Sequence, residues 1–564
     1  MKTSILVILL LKSVLVLTID AQTVSAVILN HKVDSLMALL NTEGNPGGAI
    51  AVVSGDKILM AKGYGMANTE KGTTIDNSTT FDIASTSKHF TAFAILLLEE
   101  EGKVVLDNDI RTYLPYLPDY EHKITVRNLL QHTSGIASTD VLRLFAGMSL
   151  DESWNQEKEI ELIRQYSQLN FTPGTRHVYS NAGYALLAQI VNEVSGMSFS
   201  EYLESRIFNP LGMESARVNS NPAITLENNS LGYKMADGKS VMVSSTTDFS
   251  YGSGNININL DDMIVWGRNF LSPRVGNSSL INRIFTPYNT LESGDSIYYT
   301  YGFNVTRYKG VKMVEHSGGV PGFRSQFMIF PDEDLIIILM FNTESINTRR
   351  LANSIADILL AGKTVQEKPK PRIEVPVNLD RARGYAGNYQ MEDGMELGFT
   401  VERDTFWLLL PGNARFPLFA ENENNFFLKA FDAQCTFTDA PDGEGYEVTW
   451  HQGGGSYPAK KTGEKVILTP EAIARYAGSY YQKDLKVEYP VVFADGKLTM
   501  STPATFKKYL GFDSVELNHI SGDRFLTGKL GVIEFTRDDS NMINGFILLD
   551  VGRLQNIRFT LMTK

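Results

Sequence analysis

The chain has 564 residues, a net charge of −12 at pH 7, 43% hydrophobic and 21% charged residues. This length suggests about three or four domains, and the composition excludes a wholly disordered chain. The acidic balance, without a long basic run, argues against a nucleic-acid partner. The single cysteine, Cys435, excludes an internal disulfide, a cysteine zinc site and an iron–sulfur cluster. The eight histidines are scattered, with no His-Glu-x-x-His pattern, so neither a metal nor a cofactor is implied.

In chain order, Met1-Lys2 precedes aliphatic runs at Ile5–Leu11 and Val14–Leu17, with small-residue exits at Ala21 or Ala26. A basic start, an apolar run and a small-residue exit read as a cleavable secretory signal over residues 1–21. The uninterrupted run is far below the roughly 18–20 residues of a membrane span. The expectation is a secreted or periplasmic protein with no stable membrane anchor, and a Cys435 that acts as a small buried hydrophobe.

Residues 22–362 alternate strand and helix signals. Gly48–Val53 is an apolar strand; Ser54-Gly55-Asp56 turns it into Lys57–Ala61. Phe90, Phe93, Ala94, Leu97 and Leu98 have helical spacing, stopped by Gly102, and a second helix runs from Ala182 to Val194. Two strands, Gln326–Phe330 and Leu335–Met340, flank Pro331–Asp334, and a helix from Arg350 to Leu360 closes the unit. Strands at both ends with helices between predict an α+β domain whose sheet draws on both ends. Residues 363–376, with three prolines among charges, read as a linker. Beyond it, Tyr385-Ala386-Gly387 is echoed 91 residues later by Tyr476-Ala477-Gly478. This predicts two small antiparallel barrels, at 377–467 and 468–564. A separable linker predicts that residues 22–365 fold alone.

Three short patterns carry the chemistry. Ser85-Thr86-Ser87-Lys88 begins a helix and sets Ser85 and Lys88 on one face, where a lysine of depressed pKa would take the serine proton. Alone, Ser85 reads first as a helix cap, and Ser54–Lys57 repeats the pattern in a plain turn. Tyr179-Ser180-Asn181 follows 94 residues after Ser85, and His316-Ser317-Gly318-Gly319 comes 137 residues after Tyr179, its glycines permitting close backbone approach to a substrate. Taken singly, these read as a capping turn and a loop histidine.

The ordered set, with Leu129–Gly135 and Tyr301-Gly302-Phe303, resembles the serine β-lactamase and penicillin-recognising superfamily, in particular its class C-like branch of D-aminopeptidases, DD-peptidases and esterases. The resemblance implies an antiparallel sheet flanked by helices with an all-helical subdomain, and lipocalin-like C-terminal barrels. It implies Ser85 as nucleophile, and Lys88 with Tyr179 as base and acid in an order left open. Asn181, His316, Ser317 and Gly318 would contact substrate, and the amides of Ser85 and Gly319 would form the oxyanion hole. His316 stands where typical β-lactamases carry lysine. A mostly neutral imidazole lacks the charge that clamps a β-lactam carboxylate, so only weak β-lactamase activity is expected unless Arg324 supplies that charge. Lys461-Thr462-Gly463 and His451-Gln452-Gly453 mimic the third pattern but lie outside this region. The implied function is an exported serine hydrolase of small peptides, amides or esters containing D-amino acids, with homo-oligomerisation through the barrels a further option. The alternative is a non-catalytic peptide-binding or sensor protein on the same fold.

Overall fold

In the computed structural model, residues 21–562 are described, except 40–43, 225, 244–246, 288, 365–371, 392–394, 411–413, 441–444, 453–454 and 463–467. The expected signal segment lies outside the described residues, apart from its exits at Ala21 and Ala26, which fall within a helix. The first half is built on strands β1 (Gly48–Ser54), β2 (Lys57–Tyr64), β3 (Asn304–Tyr308), β4 (Val311–Val320), β5 (Phe323–Phe330) and β6 (Leu335–Phe341). They form one antiparallel sheet in the order β3-β4-β5-β6-β1-β2, so the two ends of the domain meet at the β1–β6 pairing.

Both faces of this sheet are covered, which explains why β6 is apolar at every position rather than alternating. Ile50, Val52, Ile337 and Leu339 face helices α1 (Ala21–Leu39) and α5 (Thr348–Leu359), which contribute Leu29, Val33 and Met37, and Leu351 and Ile355. Ala49, Ala51, Phe327, Ile336 and Ile338 face the larger core, which holds α2 (Lys88–Glu100), α3 (Asn181–Ser195) and α4 (Leu260–Leu271). Helix α2 is buried from Lys88 through Leu98. From Ala92 to Leu98 it is apolar all round because it lies between layers. Gly196, at φ 71° after α3, is the left-handed residue that ends that helix.

Two nine-stranded antiparallel sheets follow, spanning residues 387–461 and 478–561, with the same strand order in each. Both curl into nearly closed barrels. The repeated tyrosines hold the same contact in each: Tyr389 Oη donates to the Tyr385 carbonyl at 2.9 Å, and Tyr480 Oη to the Tyr476 carbonyl at 2.8 Å. Cys435 is fully buried in the first barrel, and burial pushes its thiol pKa up.

The two copies relate differently to the first domain. The core of the first barrel draws on residues 375–459. The core of the second continues into the helical subdomain, where Leu142, Phe145, Trp154, Leu162 and Tyr166 pack with Tyr489, Phe506 and their neighbours. Tyr489 Oη donates to the Phe145 carbonyl at 3.0 Å, and the Ser167 amide donates to Asp484 Oδ2 at 3.1 Å. The second barrel thus shares a core with residues 137–166, so the first domain and the C-terminal repeat meet through apolar packing as well as through the connecting chain.

Candidate active site

Ser85 lies in the 3₁₀ turn Ala84–Ser87 that leads into α2. The preceding Ala84 has φ 50°, an uncommon conformation for a residue with a side chain. Its amide donates to Asp82 Oδ1 at 2.7 Å, and burial pushes the Asp82 carboxyl up to about 6. The turn abuts β4. A Cβ at Gly318 would lie 2.3 Å from the Ile83 carbonyl oxygen, so glycine is what lets this strand approach the Ser85 turn. Ser325 Oγ on β5 also donates to the Ile83 carbonyl, at 2.7 Å.

Lys88 is fully buried. Its Nζ lies 3.3 Å from Ser85 Oγ, 2.9 Å from Asn181 Oδ1 and 2.7 Å from the Ser253 carbonyl oxygen. None of the three is a carboxylate. Burial, reinforced by the Arg553 cation, holds its pKa well below the ordinary lysine value. Its backbone is fixed by the Tyr-Gly-Phe segment: Gly302 has φ 82°, and a Cβ there would meet the Lys88 carbonyl oxygen at 2.8 Å. Phe303 stacks on His89 at 3.8 Å. Gly302→Ala should therefore destabilise the fold by about 1–3 kcal/mol, the usual range for a strained backbone, read as a lower melting temperature together with slower acylation.

Tyr179 is packed between two basic side chains. Lys88 Nζ lies 4.9 Å and Arg553 Cζ 4.8 Å from its ring centroid. Burial pushes its phenol up to about 12, with Ser85 and Arg553 opposing. The Leu129–Gly135 segment underlies this corner: His132 Nδ1 accepts the Ser180 amide at 3.2 Å, and its ring lies 4.2 Å from that of Tyr179. Asn181, the first residue of α3, donates its amide to Ser138 Oγ at 3.0 Å and turns its side-chain oxygen to Lys88.

The His316 segment is not a loop before the strand pair; it lies within β4. His316 is buried, with Nδ1 2.6 Å from the Ser317 carbonyl oxygen and Nε2 3.1 Å from Tyr299 Oη. The Ser317 carbonyl can only accept, so Nδ1 carries a proton, while the Tyr299 hydroxyl can serve Nε2 in either role. Burial lowers its pKa to about 3. Ser317 and Gly319 are exposed, whereas Gly318 is buried against the Ser85 turn. Arg324 is engaged locally, with Nη1 donating to the Val320 and Phe323 carbonyls at 2.7 Å each.

The structure thus brings Ser85, Lys88, Tyr179, Asn181 and the His316–Gly319 strand to one place. The look-alikes lie elsewhere. Ser54–Lys57 turns β1 into β2, while His451 contacts Thr436 and Ser456, and Lys461 the Gly384 carbonyl, in the first barrel. Sequence reasoning missed Ser253, which acts through its carbonyl and carries no side-chain signal. It also missed Ser138, Tyr299 and Arg553, each adjacent only through folding.

A family model described as Beta-lactamase matches residues 29–361. The chain belongs to the beta-lactamase family. Among its relatives, penicillin-binding protein 4* of Bacillus subtilis is 28% identical over 73% of this chain and 95% of that protein. A D-aminopeptidase of Cereibacter sphaeroides is 25% identical over 86% of this chain and 89% of its own length. An octameric penicillin-binding protein homologue from Pyrococcus abyssi, 24% identical, superposes with a TM-score of 0.53 over 77% of this chain and 99% of its own, which shows the shared fold.

Proposed function

We propose that this member of the beta-lactamase family is an exported serine hydrolase that forms an acyl-enzyme on Ser85 and acts on small peptides, amides or esters containing D-amino acids. The observation that carries the proposal is the environment of Lys88. A neutral amine has two N–H donors and one lone pair. The carbonyl oxygens of Asn181 and Ser253 take the two donors, which leaves the lone pair for the Ser85 hydroxyl at 3.3 Å. Burial without a carboxylate partner favours that neutral form.

The order of acid and base follows. Lys88 takes the Ser85 proton as Oγ bonds to the substrate carbonyl carbon. Tyr179, a phenol held protonated at neutral pH, gives a proton to the departing nitrogen or oxygen and recovers one from Lys88. The main-chain amides of Ser85 and Gly319 are the donors for the oxyanion. Water then hydrolyses the ester by the reverse sequence. The names of the relatives support the substrate class, and the basic start and apolar run of residues 1–17 support export.

A fluorophosphonate probe with peptide mapping tests the nucleophile, and a panel of D- and L-aminoacyl p-nitroanilides with p-nitrophenyl acetate tests the substrate class. The expected result is one adduct on the Ser85 peptide and faster turnover of the D-anilides. An adduct elsewhere, or no adduct and no turnover, overturns the proposal.

A further inference from the structure

The cation that would hold a substrate carboxylate is missing from the strand, since His316 is neutral and Arg324 braces its own hairpin. Another cation stands at the site from the far end of the chain. Arg553 lies in the loop that joins the strands Ile543–Asp550 and Gln555–Leu561 of the second barrel. The loop is fixed at and just after this residue by Asn170 of the first domain: Asn170 Nδ2 donates to the Arg553 carbonyl at 3.0 Å, and Asn170 Oδ1 accepts the Gln555 amide at 2.9 Å. Asn170 is itself buried. The Arg553 backbone is therefore held in place while 44% of its side chain stays exposed.

The guanidinium lies over the Tyr179 ring, and Nη1 donates to Asp140 Oδ2 at 3.1 Å. An arginine has five N–H donors in a planar fork that matches a carboxylate, and the contact with Asp140 engages one nitrogen. Asp140, by contrast, has both oxygens occupied, because Oδ1 accepts the Ser138 hydroxyl. The pair is therefore better arranged to receive an anion than an ammonium group. The Arg553 charge also opposes protonation of Lys88, which places it within electrostatic reach of the reacting groups.

We infer that Arg553 binds a carboxylate on the leaving-group side of the substrate, so that the chain selects short peptides with a free C-terminal carboxylate over their amidated counterparts. This rests on the reading of Ser85 as the acylated residue. The side is set by Tyr179, which protonates the leaving amine and carries Arg553 on its ring face. The amide bond is cleaved with one water: the acyl group leaves as a carboxylate and the C-terminal residue as a free amino acid, with no other reactant.

The test measures protection of Ser85 from fluorophosphonate labelling in the full chain, by N-acetyl-D-alanyl-D-alanine and by its C-terminal amide. In the wild type, the acid should protect at a concentration lower by on the order of tenfold or more, the effect of one hydrogen-bonded charge. Arg553→Gln should bring the two peptides close together, and Arg553→Lys should restore part of the difference. Added salt should weaken the acid more than the amide. Equal protection in the wild type, stronger protection by the amide, no protection by either, or an unchanged ratio in Arg553→Gln overturns the inference while leaving Ser85 labelling intact. Absence of labelling in the unprotected wild type overturns the hydrolase reading itself, and the inference with it.

Discussion

Ser85→Ala is expected to abolish fluorophosphonate labelling and to lower ester hydrolysis by roughly 10⁴–10⁶-fold, the scale seen when a catalytic serine is removed. The turn Ala84–Ser87 is held by main-chain contacts and by the Asp82–Ala84 bond, so alanine should leave the fold intact, as circular dichroism would show. Lys88→Met should have a comparable effect on acylation, because it removes the proton acceptor at a site of similar volume. The pH profile tests the same assignment. The amine must be neutral to accept the proton, and its folded-state pKa lies well below 10.5. Wild-type kcat/KM for a neutral ester should therefore fall on the acid side and be flat through mildly alkaline pH. A rate that still climbs toward pH 10 would mean that Lys88 is an ordinary ammonium and not the base. The same burial has a cost in stability. The unfolded chain binds a proton at Lys88 that the folded chain does not, so this residue weakens the fold at neutral pH, and that effect fades as pH rises toward 10.5.

Truncation after residue 365 is expected to give an insoluble or misfolded protein. It would uncover Leu142, Phe145, Trp154, Leu162 and Tyr166, now packed with the second barrel. Each such side chain is worth about 1.5–3 kcal/mol of burial, so losing five of these contacts rivals the whole stability of a typical domain, about 5–15 kcal/mol. Soluble yield, near-ultraviolet dichroism and thermal melting of residues 22–365 against residues 22–564 measure it. A soluble fragment that melts like the full chain would show that the shared core contributes little. The truncation would also remove Arg553, so any residual activity should have lost its preference among charged substrates.

Much of this protein was legible in the sequence because the relevant interactions are local. The apolar spacing from Phe90 to Leu98 marks a helix whatever surrounds it, and Gly102 ends it at φ 71°. The repeated Tyr-Ala-Gly segments mark two equivalent strand entries, and each entry makes the same tyrosine-to-carbonyl contact. Ser-x-x-Lys sets its two side chains by three residues of helical rise. The order of the three patterns along the chain was enough to suggest the family.

From local patterns alone one reads which side chains are available for chemistry, where the main helices and strands run and that the last third of the chain is a repeat. The tertiary structure decided what those groups do, for a physical reason common to each case. The state of Lys88 depends on burial and on a carbonyl from Ser253, 165 residues away. The neutral form of His316 depends on its burial within the folded domain. The need for glycine at 318 depends on how close β4 comes to the Ser85 turn. Arg553 stands over Tyr179 because the second barrel, and not the first, continues the core of the helical subdomain. Desolvation, close backbone approach and shared cores are sums over many non-local contacts, and no single stretch of the chain carries them.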